Sequence, residues 1–168
     1  MTTIYGTVGE ADNYFTERTN TTWLAADDTA KDAALLVASE WIDGKYGEQF
    51  SGWKTLRRAQ DREWPPTGAY DDMGDAFAID EIPDAVKRAT YEVALREIVS
   101  PGSLISDVVL GKNIVQATVQ GAVSVTYAGA TNVNDLQLMI PVVAMILRPV
   151  LTAIQAGYSD LSVPSRRV

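Results

Sequence analysis

Residues 44 to 81 constrain the fold of this chain more than any other stretch. Glycine and proline interrupt the stretch at Gly44, Gly47, Gly52, Pro65, Pro66, Gly68 and Gly74. Neither a helix nor a long strand can run through so many breakers. Aromatic side chains that can attach a loop to a core lie between them, at Tyr46, Phe50, Trp53, Trp64 and Tyr70. Because a connection of this length is uncommon in a compact domain without a function, we predict a long, structured and functional loop.

Helical signals lie on both sides of this loop. Before it, the capping box that begins at Thr7 predicts a helix to about Arg18, and the N-cap candidates Asp27 and Asp28 predict a second helix from about Thr29 to Asp43, ended by Gly44. After it, Pro83 is placed at the first position of a third helix that ends at Pro101-Gly102. A last helix is predicted from about Pro141 to Ala156, with a kink or break at Pro149.

The apolar period changes to two between Ile114 and Tyr127, which predicts a β-hairpin. A three-residue connection, Gln120-Gly121-Ala122, would pair Ala117 with Val125, Val119 with Val123 and Val115 with Tyr127. A two-residue turn would instead place Val119 opposite Ser124 and split the apolar face. We therefore expect the three-residue connection.

Together these elements predict a mainly α fold: a small bundle of about four helices with the long loop and the hairpin. This single domain covers residues 1–156, and residues 157–168 form an extended tail.

Composition excludes several classes of function. The chain has 168 residues with no cysteine and no histidine, which removes thiol nucleophiles, imidazole bases and the usual zinc sites. Lys plus Arg is 14 and Asp plus Glu is 22, a formal net charge of −8, where nucleic-acid binders usually carry a basic excess. The first six residues have neither the basic region nor the apolar core of a signal peptide, so we expect none, and the longest apolar run, 138–147, is too short to span a bilayer. We expect a protein made in a reducing cytosol, without enzymatic activity, cofactor, metal or membrane partner.

Two clusters of charge in the loop could carry chemistry. The acidic residues Asp71, Asp72, Asp75, Asp80, Glu81 and Asp84 could hold a divalent metal, but they lack the spacing of a calcium-binding loop and are interpreted as a solvated acidic segment. The second cluster is basic and aromatic: Trp53, Lys54, Arg57, Arg58, Arg62 and Trp64. This mixture can stack on and neutralise single-stranded DNA. Alternatively, Trp64 attaches the loop to the core and the arginines pair with Asp61, Glu63 and the acidic run.

Four segments resemble a family of tailed-phage head–tail connector proteins, also described as DnaT-like single-stranded-DNA-binding. They are the helix Ala33–Gly44 ending in Asp-Gly, the Phe50-Ser51-Gly52 turn, the Gln-x-x-x-Trp-Pro loop in Ala59–Gly68, and the Ile-Pro-x-x-Val-Lys-x-Ala helix in Ile82–Ala94. The resemblance covers roughly residues 5 to 100 and continues more loosely into the hairpin and last helix. Pro66 stands where the family commonly has arginine, so any contact of that arginine has no counterpart here.

The resemblance implies a structural protein of the virion, made in the host cytoplasm and located at the head–tail interface. Copies of it would form a dodecameric ring under the portal protein, extend the DNA channel without specific binding to DNA, and present a platform for stopper or tail-terminator proteins. Single-stranded-DNA binding is the alternative function. An acidic ring fits a channel through which DNA slides, because like charges do not hold the duplex.

Partner contacts are predicted in two places. The tail offers apolar anchors at Tyr158, Leu161 and Val163 and positive charge at Arg166 and Arg167, and is the predicted portal-docking element. The loop offers a second surface for a stopper or tail protein or for a neighbouring copy, through Trp53, Arg57, Arg58, Trp64 and Tyr70.

Overall fold

The computed structural model describes residues 4–105, 116–118, 124–126 and 140–152. Five α-helices lie in these ranges: α1 (Val8–Glu17), α2 (Thr21–Leu24), α3 (Asp28–Tyr46), α4 (Asp84–Val99) and α5 (Pro141–Leu147). Four short strands form two antiparallel pairs, β1 (Trp53–Lys54) with β2 (Pro66–Thr67), and β3 (Gln116–Thr118) with β4 (Ser124–Thr126). The predicted class, mainly α with a small hairpin, is confirmed. No helix in the described ranges has both the length and the apolar character to cross a bilayer.

The helix starts follow the capping signals of the sequence. The Thr7 hydroxyl accepts a hydrogen bond from the Glu10 backbone N–H at 3.2 Å, and the Asp27 carboxylate accepts one from Ala30 at 3.0 Å. Each satisfies a backbone donor that the first turn of a helix leaves free. Pro83 is the N-cap of α4 and not its first residue. Local side-chain chemistry therefore sets where α1 and α3 begin.

Two predicted boundaries are wrong. Gly44 does not end the second predicted helix, because α3 continues to Tyr46, whose buried ring packs edge-on against Trp41 at a centroid distance of 6.0 Å. The polar segment after α1, predicted as a turn, contains the short helix α2, capped by Asn20. In both places the burial of an aromatic side chain, Tyr46 or Trp23, outweighs the local turn signal.

The last predicted helix is shorter than expected. It ends at Leu147, a 3₁₀ turn follows over Arg148–Val150, and Leu151 is extended. Pro149 lies in that turn, which confirms the predicted break, since proline removes a backbone donor and clashes with the preceding turn. Residues 153–156 lie outside the described residues, as does the predicted tail, 157–168.

The hairpin register agrees with the three-residue connection. Ala117 lies opposite Val125, with Gln116 opposite Thr126 and Thr118 opposite Ser124. The pairs of Val119 with Val123 and Val115 with Tyr127 lie outside the described residues. Alternation of apolar and polar residues was enough to predict this register, because a slip of one residue would send every side chain to the other face.

The core forms where α4 packs between α3 and α5. A row of aromatic rings from α1 and α2 joins it: Tyr14 meets Tyr91 and Phe15, and Phe15 meets Trp23, with centroid distances of 4.9–5.5 Å. Lys31 is buried beside this row. Its ammonium lies 3.0 Å from the Asp12 carboxylate, and the hydrogen bond to Asp12 raises the pKa of Lys31. This ion pair ties α3 to α1.

Candidate functional site

The loop between α3 and α4 is built on the two-stranded ribbon of β1 and β2. Trp53 pairs with Thr67 and Lys54 with Pro66. Gly52 enters the ribbon with φ +80°, and a Cβ there would lie 2.6 Å from the Thr67 carbonyl oxygen. Only glycine fits so close to the opposite strand. The ribbon fixes the two ends of the segment that carries the exposed basic residues, and no alternation of apolar and polar residues in the sequence indicates it.

Trp53 projects from this ribbon into solvent, with 58% of its surface exposed. One part of its indole ring lies against Gly68, where an added methyl group would be 3.5 Å from the nearest ring carbon. The glycine backbone thus supports the ring from one side and leaves the rest accessible. Trp53 does not anchor the loop to the core, contrary to the prediction for the loop aromatics, and neither does Tyr70, which is 48% exposed.

Gln60 shapes the turn that follows Trp53. Its side-chain amide donates to the carbonyl oxygens of Arg62 at 2.9 Å, Pro65 at 3.0 Å and Glu63 at 3.4 Å, and its carbonyl oxygen accepts from the Leu56 N–H at 3.2 Å. One side chain thus satisfies four backbone groups of an irregular segment, which a loop without regular pairing needs. This gives a physical role to the glutamine of the Gln-x-x-x-Trp-Pro motif.

Arg57 and Arg58 lie at the tip of this turn, in a short 3₁₀ helix, and both are exposed. Arg57 has φ +54°, a left-handed conformation that is uncommon for arginine. Within the described residues neither guanidinium forms an ion pair. We call Trp53, Arg57 and Arg58 the Trp53 surface.

Two other members of the predicted basic and aromatic cluster lie in the interior. Trp64 is fully buried and packs edge-on against Phe50 and Phe77, each with a centroid distance of 5.4 Å. Arg62 is buried too, 3.2 Å from Glu40 and 3.7 Å from Asp43. A buried tryptophan cannot stack on a base, so Trp64 is not part of the accessible surface. It attaches the loop to the core, as the alternative interpretation proposed.

The ion pairs of the basic residues in the structure differ from the predicted ones. Arg62 pairs with Glu40 and Asp43 of α3, and Lys54 pairs with Glu63 at 3.0 Å. Within the described residues, Asp61 forms no ion pair with any of them. No local sequence pattern links Arg62 to the acidic residues of α3, because they lie about 20 positions away in sequence.

A buried polar network fastens the loop to α3. The Tyr5 hydroxyl donates a short hydrogen bond to the Asp43 carboxylate and accepts one from the Trp64 N–H at 3.0 Å. The other Asp43 oxygen accepts from the Glu63 N–H at 3.4 Å. Burial raises the pKa of Asp43 to about 6, although Tyr5 and Arg62 both favour its charged form. Nothing in the sequence patterns identified Tyr5 or Asp43 as members of this network.

The acidic segment behaves as a structured turn. The Asp71 carboxylate accepts hydrogen bonds from the Met73 and Asp75 N–H groups, both at 2.9 Å, which is a common use of aspartate in turns. Among the residues described, no three acidic side chains converge as metal ligands would. The predicted portal-docking residues, Tyr158, Leu161, Val163, Arg166 and Arg167, lie outside the described ranges.

Comparison with known protein families identifies a family for this chain. No curated protein and no solved structure is similar enough to this chain to count as a match. A family model described as "Putative DnaT-like ssDNA binding protein" matches residues 4–168, almost the whole length. The matched range includes the Trp53 surface and every described helix, and on this match the chain belongs to that DnaT-like family.

Proposed function

We propose that this chain binds single-stranded DNA on the Trp53 surface. The observation that carries the proposal is the exposed indole of Trp53, supported from one side by Gly68 and followed by two exposed arginines in a turn that Gln60 holds. The description of the family supports the same function. Proteins that bind single strands without sequence preference combine these two parts, an aromatic face for the bases and positive charge for the phosphates.

The overall charge sets the expected strength of binding. A net charge of −8 repels a polyanion at a distance, and only a local patch attracts it. With two arginines on phosphates, the logarithm of the binding constant should fall with the logarithm of salt concentration with a slope of about −1.4. We therefore expect weak binding that covers a few nucleotides and depends visibly on salt.

The test is a titration of labelled single-stranded oligonucleotides and of the matching duplex, followed by fluorescence anisotropy from low to physiological salt. Trp53→Ala should weaken single-strand binding about 5- to 150-fold, since stacking on an aromatic ring contributes roughly 1–3 kcal/mol per base. Arg57→Ala and Arg58→Ala should each make the salt slope shallower by about 0.7. Leu24→Ala, at an exposed apolar residue of α2, is the matched control and should change nothing. Absence of binding at low salt, or unchanged affinity of the Trp53 variant, would refute the proposal.

A second candidate function is the structural one: a head–tail connector that forms a ring under the portal protein of a tailed phage and carries stopper or tail-terminator proteins. The acidic balance of the chain favours it, because a ring of like charge lets DNA pass without adhesion. In this function the tail residues Tyr158, Leu161, Val163, Arg166 and Arg167 would dock on the portal. Mixing the chain with its cognate portal and imaging the product tests this. A chain truncated after residue 156 should no longer assemble, and unchanged assembly would contradict portal docking by the tail.

A further inference from the structure

A groove of about 990 Å³ lies between α5 and the turn over residues 71–75, which we call the acidic turn, and no residue of the Trp53 surface lines it. Its lining includes Tyr70, Asp72, Met73, Met145, Leu151 and Thr152. We call it the α5 groove. Met73 is 85% exposed and Met145 is 75% exposed. Methionine side chains are flexible and polarisable, and such surfaces adapt well to apolar partners.

Hydrogen bonds between distant segments hold the walls of the groove. The Asp72 N–H donates to the Pro149 carbonyl oxygen at 2.9 Å, which joins the acidic turn to the segment after α5. Thr152 donates to the Gln49 carbonyl oxygen twice, from its N–H at 2.8 Å and from its hydroxyl at 2.7 Å. Leu151 also forms a β-bridge with Phe50. The groove is therefore formed before anything binds in it.

We propose that residues 157–167 of the same chain occupy the α5 groove. Thr152 lines the groove and is the last residue described, and the sequence continues from it for 168 − 152 = 16 residues. Tyr158 is six residues further on, a span of at most about 20 Å. A segment attached at the edge of a groove has a high effective concentration there, so modest contacts are enough to hold it.

The chemistry of the segment matches the groove. Tyr158, Leu161 and Val163 supply apolar side chains for the methionine surface. Arg166 and Arg167 supply positive charge, and among the described residues that line the groove the two carboxylates of Asp71 and Asp72 outnumber the one guanidinium, that of Arg148. Any protein that binds either the groove or the tail must first separate them. The proposal does not depend on DNA binding at the Trp53 surface.

The absence of cysteine from the chain makes a direct test possible. In the full-length protein, Met73→Cys is combined with Leu161→Cys, and the two thiols are oxidised to a disulfide with diamide at low protein concentration. The expected product is a monomer with an internal cross-link, seen as faster migration on a non-reducing gel. Glu17→Cys with Leu161→Cys is the control, because Glu17 is an exposed residue that does not line the groove. No cross-linking above the control, or cross-linking only between chains, would overturn the proposal.

A charge exchange tests the polar contacts. Asp72→Lys, added to the double variant Met73→Cys with Leu161→Cys, should slow internal cross-linking about 1.5- to 5-fold, the range expected for an exposed ion pair. Arg166→Glu with Arg167→Glu should slow it similarly alone, and should restore the rate when combined with Asp72→Lys. An unchanged rate in these variants would overturn the placement of the arginines against the acidic wall.

Discussion

At the scale of single residues, the buried carboxyl of Asp43 should make the free energy of unfolding depend on pH. Its pKa rises from 3.8 to about 6 in the folded protein because burial disfavours the charged form. Between these two values the folded state binds more protons than the unfolded state. The free energy of unfolding therefore falls as pH rises from about 4 to about 6, as far as Asp43 contributes.

Asp43→Asn should remove this contribution, because asparagine still accepts from the Tyr5 hydroxyl but does not titrate. We expect the free energy of unfolding of the variant, relative to wild type, to increase by up to about 3 kcal/mol between pH 4 and pH 7. Urea denaturation at several pH values measures it. Asp72→Asn, at an exposed turn residue, is the control and should leave the profile unchanged. An identical pH profile for Asp43→Asn and wild type would contradict the assignment.

The same substitution at two tryptophans of the loop should separate stability from binding. Trp64→Ala removes a fully buried ring between Phe50 and Phe77 and should lower the free energy of unfolding by about 3–5 kcal/mol. Trp53→Ala should change it by less than about 1 kcal/mol, because most of that ring is already in solvent. Urea denaturation of both variants measures the two changes in the free energy of unfolding. Equal destabilisation would contradict the different burial of the two rings.

At the scale of elements, the side chain of Gln60 supplies the hydrogen bonds that hold the turn, as a neighbouring strand supplies them in a sheet. Gln60→Ala should leave the helices folded but open the turn, since three carbonyl groups and one N–H group each lose a hydrogen bond, although the Pro65 carbonyl keeps the one from the Thr55 hydroxyl at 3.3 Å. Each lost hydrogen bond contributes roughly 0.5–1.5 kcal/mol, so about a tenfold or greater rise in local opening is expected.

Trypsin measures this opening, because it cleaves after Arg57 and Arg58 only when the turn leaves its folded conformation. Gln49→Ala is the matched control, as within the described part of the chain that side chain makes a single hydrogen bond, of 3.4 Å, to the Lys45 carbonyl oxygen. We expect faster cleavage of the Gln60 variant with an unchanged urea midpoint for the helices. Equal cleavage rates of the Gln60 and Gln49 variants would show that the turn is held by other contacts.

At the scale of the whole molecule, net charge opposes self-association. Copies with a charge of −8 repel each other, and there is no long heptad seam to lock them together. We predict that the free protein is a monomer or a mixture of small species, and that a closed ring forms on the portal. Light scattering at low and moderate salt measures this, since salt screens the repulsion. A stable dimer or tetramer that cannot open into a ring would contradict the prediction.

Local chemistry made several features of this protein predictable from its sequence. The caps at Thr7 and Asp27 set helix starts, Pro149 breaks the last helix, and alternation of apolar residues predicts the Ala117–Val125 pair. Each depends on residues within a few positions, or on a period that the sequence displays directly. The same holds for the mainly α class of the fold.

Burial, in contrast, was decided by tertiary structure. Trp53 and Trp64 lie in the same glycine- and proline-rich loop, yet one is exposed and the other buried, because Phe50 and Phe77 enclose only Trp64. Arg57 and Arg62 differ in the same way, since acidic residues of α3 meet only Arg62. No local pattern encodes which distant side chains will meet a given residue. The sequence by itself therefore determined where α1 and α3 begin and which residue types could bind. Only the packing of α3 against the loop decided which of those residues are accessible.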